Sequence, residues 1–174
     1  MHRLHLLRHA KSGYPEGVDD SERPLTRRGR ESACRVAENL PEALGALDLV
    51  LCSTALRARE TAELVLAGFA APPRIVYDDA LYLAGRAVLL RCLRLIAESA
   101  GAVMVIGHNP GLHELALALA SPDSPRYQAL ATGKFPTTAR ASFAIESSWA
   151  SLDRSRHALT QYVTAKSLGD GAQR

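Results

Sequence analysis

An α/β fold, one three-layer domain with a mainly parallel sheet flanked by helices, is the architecture this sequence predicts. Three observations predict it. Short apolar runs alternate with amphipathic helical patterns along the chain. The chain has 174 residues, enough for one full domain and too few for two comfortable ones. No repeat, low-complexity tract or linker divides it. A single domain over residues 1–174 is therefore expected, with the last few residues disordered.

The elements follow in order. Leu4–Leu7 is an apolar run that stops at Arg8-His9, and Leu47–Cys52 is a second, ending at Ser53-Thr54. Arg74–Tyr77 is a weaker third, and Ala102–Ile106 a fourth, ending at Gly107-His108. Ser142–Ile145 and Leu159–Val163 come late and alternate more. Between them lie helical stripes at i, i+3, i+4 spacing. Ala33, Val36, Ala37 and Leu40 form the first, behind an N-cap at Thr26. Ala58, Ala62, Val65 and Leu66 form the second, and Val88, Leu89, Cys92, Leu95 and Ile96 the third. Leu112, Leu115, Ala116 and Leu119 form the fourth, entered through Pro110. Strand alternating with helix implies right-handed βαβ units.

Composition narrows the class. Apolar residues make up 47% and charged residues 22%, with a net charge of +3, which suits a soluble globular protein. That modest, dispersed charge argues weakly for an anionic ligand and gives no case for nucleic acid. The three cysteines form no CxxC pair, so a reducing cytosol fits better than a disulfide framework or a zinc ribbon. No apolar run approaches the roughly 20 residues a membrane span needs, and Met1–Leu7 is too short for a signal peptide. The expected location is cytoplasmic.

Arg8-His9, Ser53 and Gly107-His108 each follow a candidate buried strand. Parallel sheets bind ligands beyond the carboxyl ends of their strands, where helix N-termini also point. Three polar clusters from three strand ends thus converge on one site. Taken singly, each has a plain structural reading. Arg8-His9 could be the polar end of an edge strand, and Arg57 a surface arginine in the opening of a helix. Gly107-His108-Asn109-Pro110-Gly111 is harder to dismiss, because its glycines and proline mark a tight strand-to-helix turn.

Together the clusters form a pattern. Leu7-Arg8-His9-Ala10-Lys11-Ser12 resembles the Arg-His-Gly signature of the histidine phosphatase superfamily, in an Arg-His-Ala-Lys-Ser form. With Arg23-Pro24-Leu25-Thr26-Arg27-Arg28-Gly29 it looks like the SixA-type phosphohistidine phosphatases. Ser53 to Thr61 matches the superfamily's Ser-x-x-x-Arg-Ala-x-x-Thr segment, and Gly107 to Gly111 its second histidine loop. Four motifs stand in family order across residues 3 to 120, while Phe135-Pro136-Thr137 and Tyr162-Val163-Thr164 are less specific.

The resemblance implies a phosphoglycerate mutase-like fold and assigns roles. His9 would be the nucleophile, since neutral imidazole is available near its usual pKa of about 6.5. Arg8 and Arg57 would grip the phosphoryl group through forked, charge-assisted bonds, and His108 would donate to it from the other side. Arg23, Ser53 and the Asn109 backbone amide are further phosphate-binding candidates. No metal and no cofactor is expected, because phosphoryl transfer asks mostly for positioning and charge neutralisation. His2, His5, His113 and His157 read as structural or exposed. Arg27, Arg28, Arg30 and Arg35 read as a solvated helix face, with docking of an acidic protein as the minority reading.

Two departures from the superfamily narrow the substrate. Its phosphomonoesterases and mutases usually carry a glutamate acid after the third strand, where this chain reads Asp78-Asp79-Ala80. Imidazole leaves without much help, whereas an alkoxide needs a proton. The Tyr82–Ala102 connection also has no room for a cap, which suits a phosphorylated side chain on a folded protein. The expected substrate is phosphohistidine on a protein partner such as a histidine phosphotransfer domain. The alternatives are a phosphatase of small phosphoesters with Asp78 or Asp79 as acid, and a non-catalytic phospho-ligand binding module.

Overall fold

Successive residues of a strand face opposite sides of its sheet, and in β1 (His2–Arg8) both sides are covered. Leu4 and Leu6 sink into one apolar cluster and Leu7 into another, all three fully buried. The computed structural model describes residues 1–170, so the expectation of disorder at the last few residues falls outside the described residues.

The remaining strands are β2 (Leu49–Ser53), β3 (Arg74–Asp78), β4 (Ala102–Gly107), β5 (Arg140–Ile145) and β6 (Ala158–Val163). They form one six-stranded sheet in the order β3-β2-β4-β1-β5-β6. The first four in that order run parallel, and β5 and β6 join antiparallel. Of the two late strands, β6 lies at the sheet edge and is half-exposed, whereas β5 is buried on both faces. On one face lie α1 (Arg27–Leu44) and α2 (Leu56–Leu66), with Leu168 of α6 (Ala165–Asp170) packed beside them. The other face carries α3 (Arg86–Arg94), α4 (Gly111–Leu119) and α5 (Tyr127–Thr132). These are the three layers the sequence predicts.

Local signals hold at the helix starts. The Thr26 hydroxyl accepts from Gly29 N at 3.0 Å, which satisfies one of the four open N–H groups of α1. Position 29 must be glycine, because a Cβ there would lie 2.1 Å from the Lys11 carbonyl oxygen. Gly111 is equally constrained, with its Cβ position 1.9 Å from the Ala84 carbonyl oxygen. The tight turn after β4 therefore serves a close approach of backbone to backbone. The third stripe is shorter than its periodicity suggests: α3 ends at Arg94, and Leu95 is 82% exposed. Arg27, Arg28, Arg30 and Arg35 are exposed along α1. Among the described residues no helix is long and apolar enough to cross a membrane.

The strand order decides where the loops meet. β4 sits between β2 and β1, so Arg8 lies opposite Gly107 in register and the ends of β1, β2 and β4 open on one edge.

Candidate active site

His9 follows β1 directly and is 7% exposed. Its backbone N–H donates to the Gly107 carbonyl at 3.1 Å, which ties it to β4. Its Nδ1 lies 2.7 Å from the Ala10 carbonyl oxygen. A carbonyl only accepts, so Nδ1 carries the proton and Nε2 keeps its lone pair. Burial lowers the His9 pKa to about 4, helped by the charges of Arg57, Arg8 and Arg23 and opposed by the Ala10 carbonyl. The ring is neutral at pH 7.

His108 faces it, with ring centroids 5.1 Å apart. Its Nε2 sits 2.7 Å from Ser53 Oγ, and its Nδ1 is 3.5 Å from Arg57 Nη2. Burial, then His9 and Arg57, push its pKa down to about 3. Arg57, in the first turn of α2, is 1% exposed. It donates from Nη1 to the Asp20 carbonyl at 2.7 Å and from Nη2 to Asp20 Oδ2 at 3.1 Å, while its buried Nε has no partner. Arg8 donates to the Phe135 carbonyl at 3.0 Å, and Asn109 Nδ2 donates to the same oxygen at 2.7 Å.

A cavity of about 290 Å³ joins Arg8, His9, Arg23, Arg57, His108 and Asn109. Six of the seven residues singled out from sequence therefore line one space. Ser53 does not. It is fully buried, with its Oγ against His108 Nε2 rather than on the cavity wall. Arg23 reaches the cavity with Nε and Nη1 engaged: Nε donates to Asp20 Oδ1 at 2.9 Å, and Nη1 to Ser12 Oγ at 2.8 Å and to the Gly13 carbonyl at 2.9 Å.

Asp78 and Asp79 do not line the cavity. Asp78 caps Ala80 N at 2.8 Å, and Asp79 accepts from the Thr54 hydroxyl at 2.7 Å. The carboxylate that does line it is Asp20, a residue sequence reasoning missed. The Tyr82 hydroxyl donates to Asp20 Oδ2, and the Tyr82 ring stands edge-on to His108 with centroids 5.7 Å apart. That hydroxyl first, then Arg23 and Arg57, lowers the Asp20 pKa to about 2. The alternation Asp19-Asp20-Ser21-Glu22-Arg23 was the available signal, but nothing local says which acid folds back onto Arg57. Thr61 was quoted only as motif; its hydroxyl accepts from Ala10 N at 2.9 Å and donates to the Arg57 carbonyl at 2.6 Å. It clamps the residue after His9 to α2.

Known proteins share this chain's sequence and fold. The model of the histidine phosphatase superfamily (branch 1) matches residues 4–81. A candidate phosphohistidine phosphatase SixA from Nakamurella multipartitia has a TM-score of 0.81 at 30% identity, covering 94% of this chain and 95% of that one. The chain belongs to the histidine phosphatase superfamily, in its SixA-type group. A second SixA candidate, from Agrobacterium tumefaciens, gives a TM-score of 0.79 at 28% identity, covering 94% of this chain and 97% of that one. An uncharacterized protein of Mycobacterium tuberculosis (strain ATCC 25618 / H37Rv) is 37% identical over 150 residues, 84% of this chain and 92% of its own. The chain is thus a phosphatase of that superfamily.

The phosphatase holds three buried histidines neutral, since burial also lowers His5 to about 3, aided by Arg140 and Arg3. The unfolded chain binds protons near pH 6.5 that the native chain refuses, so stability falls as pH drops from about 6.5 toward 4. Urea unfolding at pH 7 and pH 5 should show it, at on the order of 1–2 kcal/mol per histidine. Nitrogen NMR of labelled imidazoles should find His9 with Nδ1 protonated and titrating near pH 4 rather than 6.5.

Proposed function

We propose that this phosphatase removes phosphate from phosphohistidine on a protein, through a phosphohistidine intermediate at His9 and without a metal. The observation that carries the reading is the His9 ring: Nδ1 held by the Ala10 carbonyl, Nε2 unprotonated, beside Arg8, Arg57 and His108. The Nε2 lone pair attacks phosphorus as the phosphorus–nitrogen bond of the substrate breaks. Its electron pair stays on the leaving imidazole nitrogen, which takes a proton from water. A second water then attacks phospho-His9 and releases inorganic phosphate.

Arg8 and Arg57 neutralise the equatorial oxygens. A guanidinium only donates, so His108 Nδ1 accepts from Arg57 Nη2 and its Nε2–H donates to Ser53 Oγ, which makes His108 a support for the Arg57 guanidinium beside the phosphoryl group. A phosphoryl group gripped by Arg57 competes with the Asp20 carboxylate for the same Nη2 donor. Arg8, Lys11, Arg23 and Arg57 set four cations against one carboxylate around the cavity, which supports charge neutralisation by protein alone. A histidine phosphotransfer domain in the cytoplasm is the partner this reading implies.

One observation favours the small-phosphoester reading: Asp20, not Asp78 or Asp79, reaches the cavity and could serve as its acid. Its depressed pKa weighs against that role.

Tungstate or vanadate should inhibit competitively and raise the melting temperature, as any native-state ligand does. Chelators should leave turnover unchanged, and a loss restored by a divalent metal overturns the metal-free mechanism. Arg57→Lys should raise the barrier by on the order of 2–4 kcal/mol, the usual effect of losing a preorganised donor. Turnover within threefold of wild type would remove Arg57 from the mechanism.

A further inference from the structure

A second cavity, of about 310 Å³, is lined by residues of α1, α6 and the strands β5 and β6. Its walls differ in character. Val36 and Leu40 of α1 and Leu168 of α6 make an apolar wall, while Arg126 and Arg140 bring two guanidinium groups. Arg140 is 5% exposed. Its Nη1 donates to two neutral partners, Ser142 Oγ at 2.6 Å and Gln161 Oε1 at 2.9 Å. Its Nε and Nη2 make no hydrogen bond to a described residue, and no described carboxylate pairs with Arg140 or Arg126.

A buried charge without a counter-ion costs several kcal/mol. A methionine in that place would pack without the cost. We propose that this cavity binds a small organic anion, a carboxylate or phosphate on an apolar body, with Arg140 and Arg126 gripping the anionic head and the α1–α6 wall covering the body. Its volume is in the usual range for small-molecule sites. Burial lowers the Arg140 pKa to about 10.

The position ties this cavity to the catalytic one. Thr138 lines it with a φ of 63°, a conformation β-branched residues rarely adopt. Its N–H reaches the carbonyls of Arg8 and His9 at 3.1 and 3.3 Å. Its neighbour Thr137 lines the catalytic cavity. The inference is independent of which phosphorylated substrate the enzyme takes.

The test uses the full chain with tungstate saturating the catalytic cavity. Octanoate is titrated by calorimetry and by amide NMR, with octanol and acetate as controls. The expected result is saturable one-to-one binding of octanoate that shifts the Thr138 and Arg140 amides. Arg140→Met and Arg126→Ala should each weaken it at least tenfold, and neither control should saturate. Arg126 is exposed, so its variant tests the site even if Arg140→Met fails to fold. Octanol binding as well as octanoate, no saturable octanoate binding at millimolar concentration, or full binding in Arg126→Ala overturns the proposal.

Discussion

His9→Ala should reduce phosphohistidine turnover at least a thousandfold and abolish covalent labelling of the protein. No other imidazole at the cavity has a free ring nitrogen. His108 is the nearest imidazole, yet its Nε2 is bonded to Ser53 and its Nδ1 faces Arg57. Brief incubation with labelled substrate, quenched under alkaline conditions, should trap one phosphoryl group per chain on wild type, with the acid lability of a phosphoramidate. His9→Ala loses that label while keeping tungstate-induced stabilisation, because the arginines remain. That pairing separates chemistry from binding. Retained label or near wild-type turnover would move the nucleophile to His108. A wild-type chain that binds tungstate but never labels or turns over would be a phospho-ligand binding module.

The leaving group should govern rate almost as strongly. Phosphohistidine should be fastest, an activated aryl phosphate slower, and an alkyl phosphate such as a serine ester nearly inert. The reason is structural: the end of β3 supplies no acid to the cavity, since Asp78 caps its own turn and Asp79 is held by Thr54. Asp20 is held ionised by Tyr82, Arg23 and Arg57. A general acid contributes roughly 10²–10⁴-fold, so its presence could not be missed. Asp78→Asn and Asp79→Asn should barely change turnover. Asp20→Asn should keep phosphohistidine turnover and bind phosphate more tightly, because the neutral amide competes less for Arg57. An alkyl ester matching phosphohistidine in kcat/KM, with Asp20→Asn losing a hundredfold on it, would replace the phosphohistidine reading with the small-phosphoester one.

Periodicity and punctuation determined the layers of this protein before any coordinates. The runs ending at Arg8-His9, Ser53 and Gly107-His108 are strands, and the Thr26 cap starts a helix, because hydrophobic spacing and cap chemistry act within a few residues. Convergence of the site was legible for the same reason, since parallel strands open their carboxyl ends on one edge. Leu95 shows the limit of that signal: it continues the spacing of α3 yet lies in solvent, because helix length depends on what the helix packs against. Only the tertiary structure decided the rest. Ser53 stands against His108 rather than on the cavity wall. Asp20 rather than Asp78 or Asp79 reaches Arg57, which lies 37 residues away in sequence. Arg140, unremarkable in sequence, lines a cavity with no carboxylate among the described residues to meet it. Each of these outcomes depends on which side chains from distant segments share a few ångströms, and no local propensity encodes that distance.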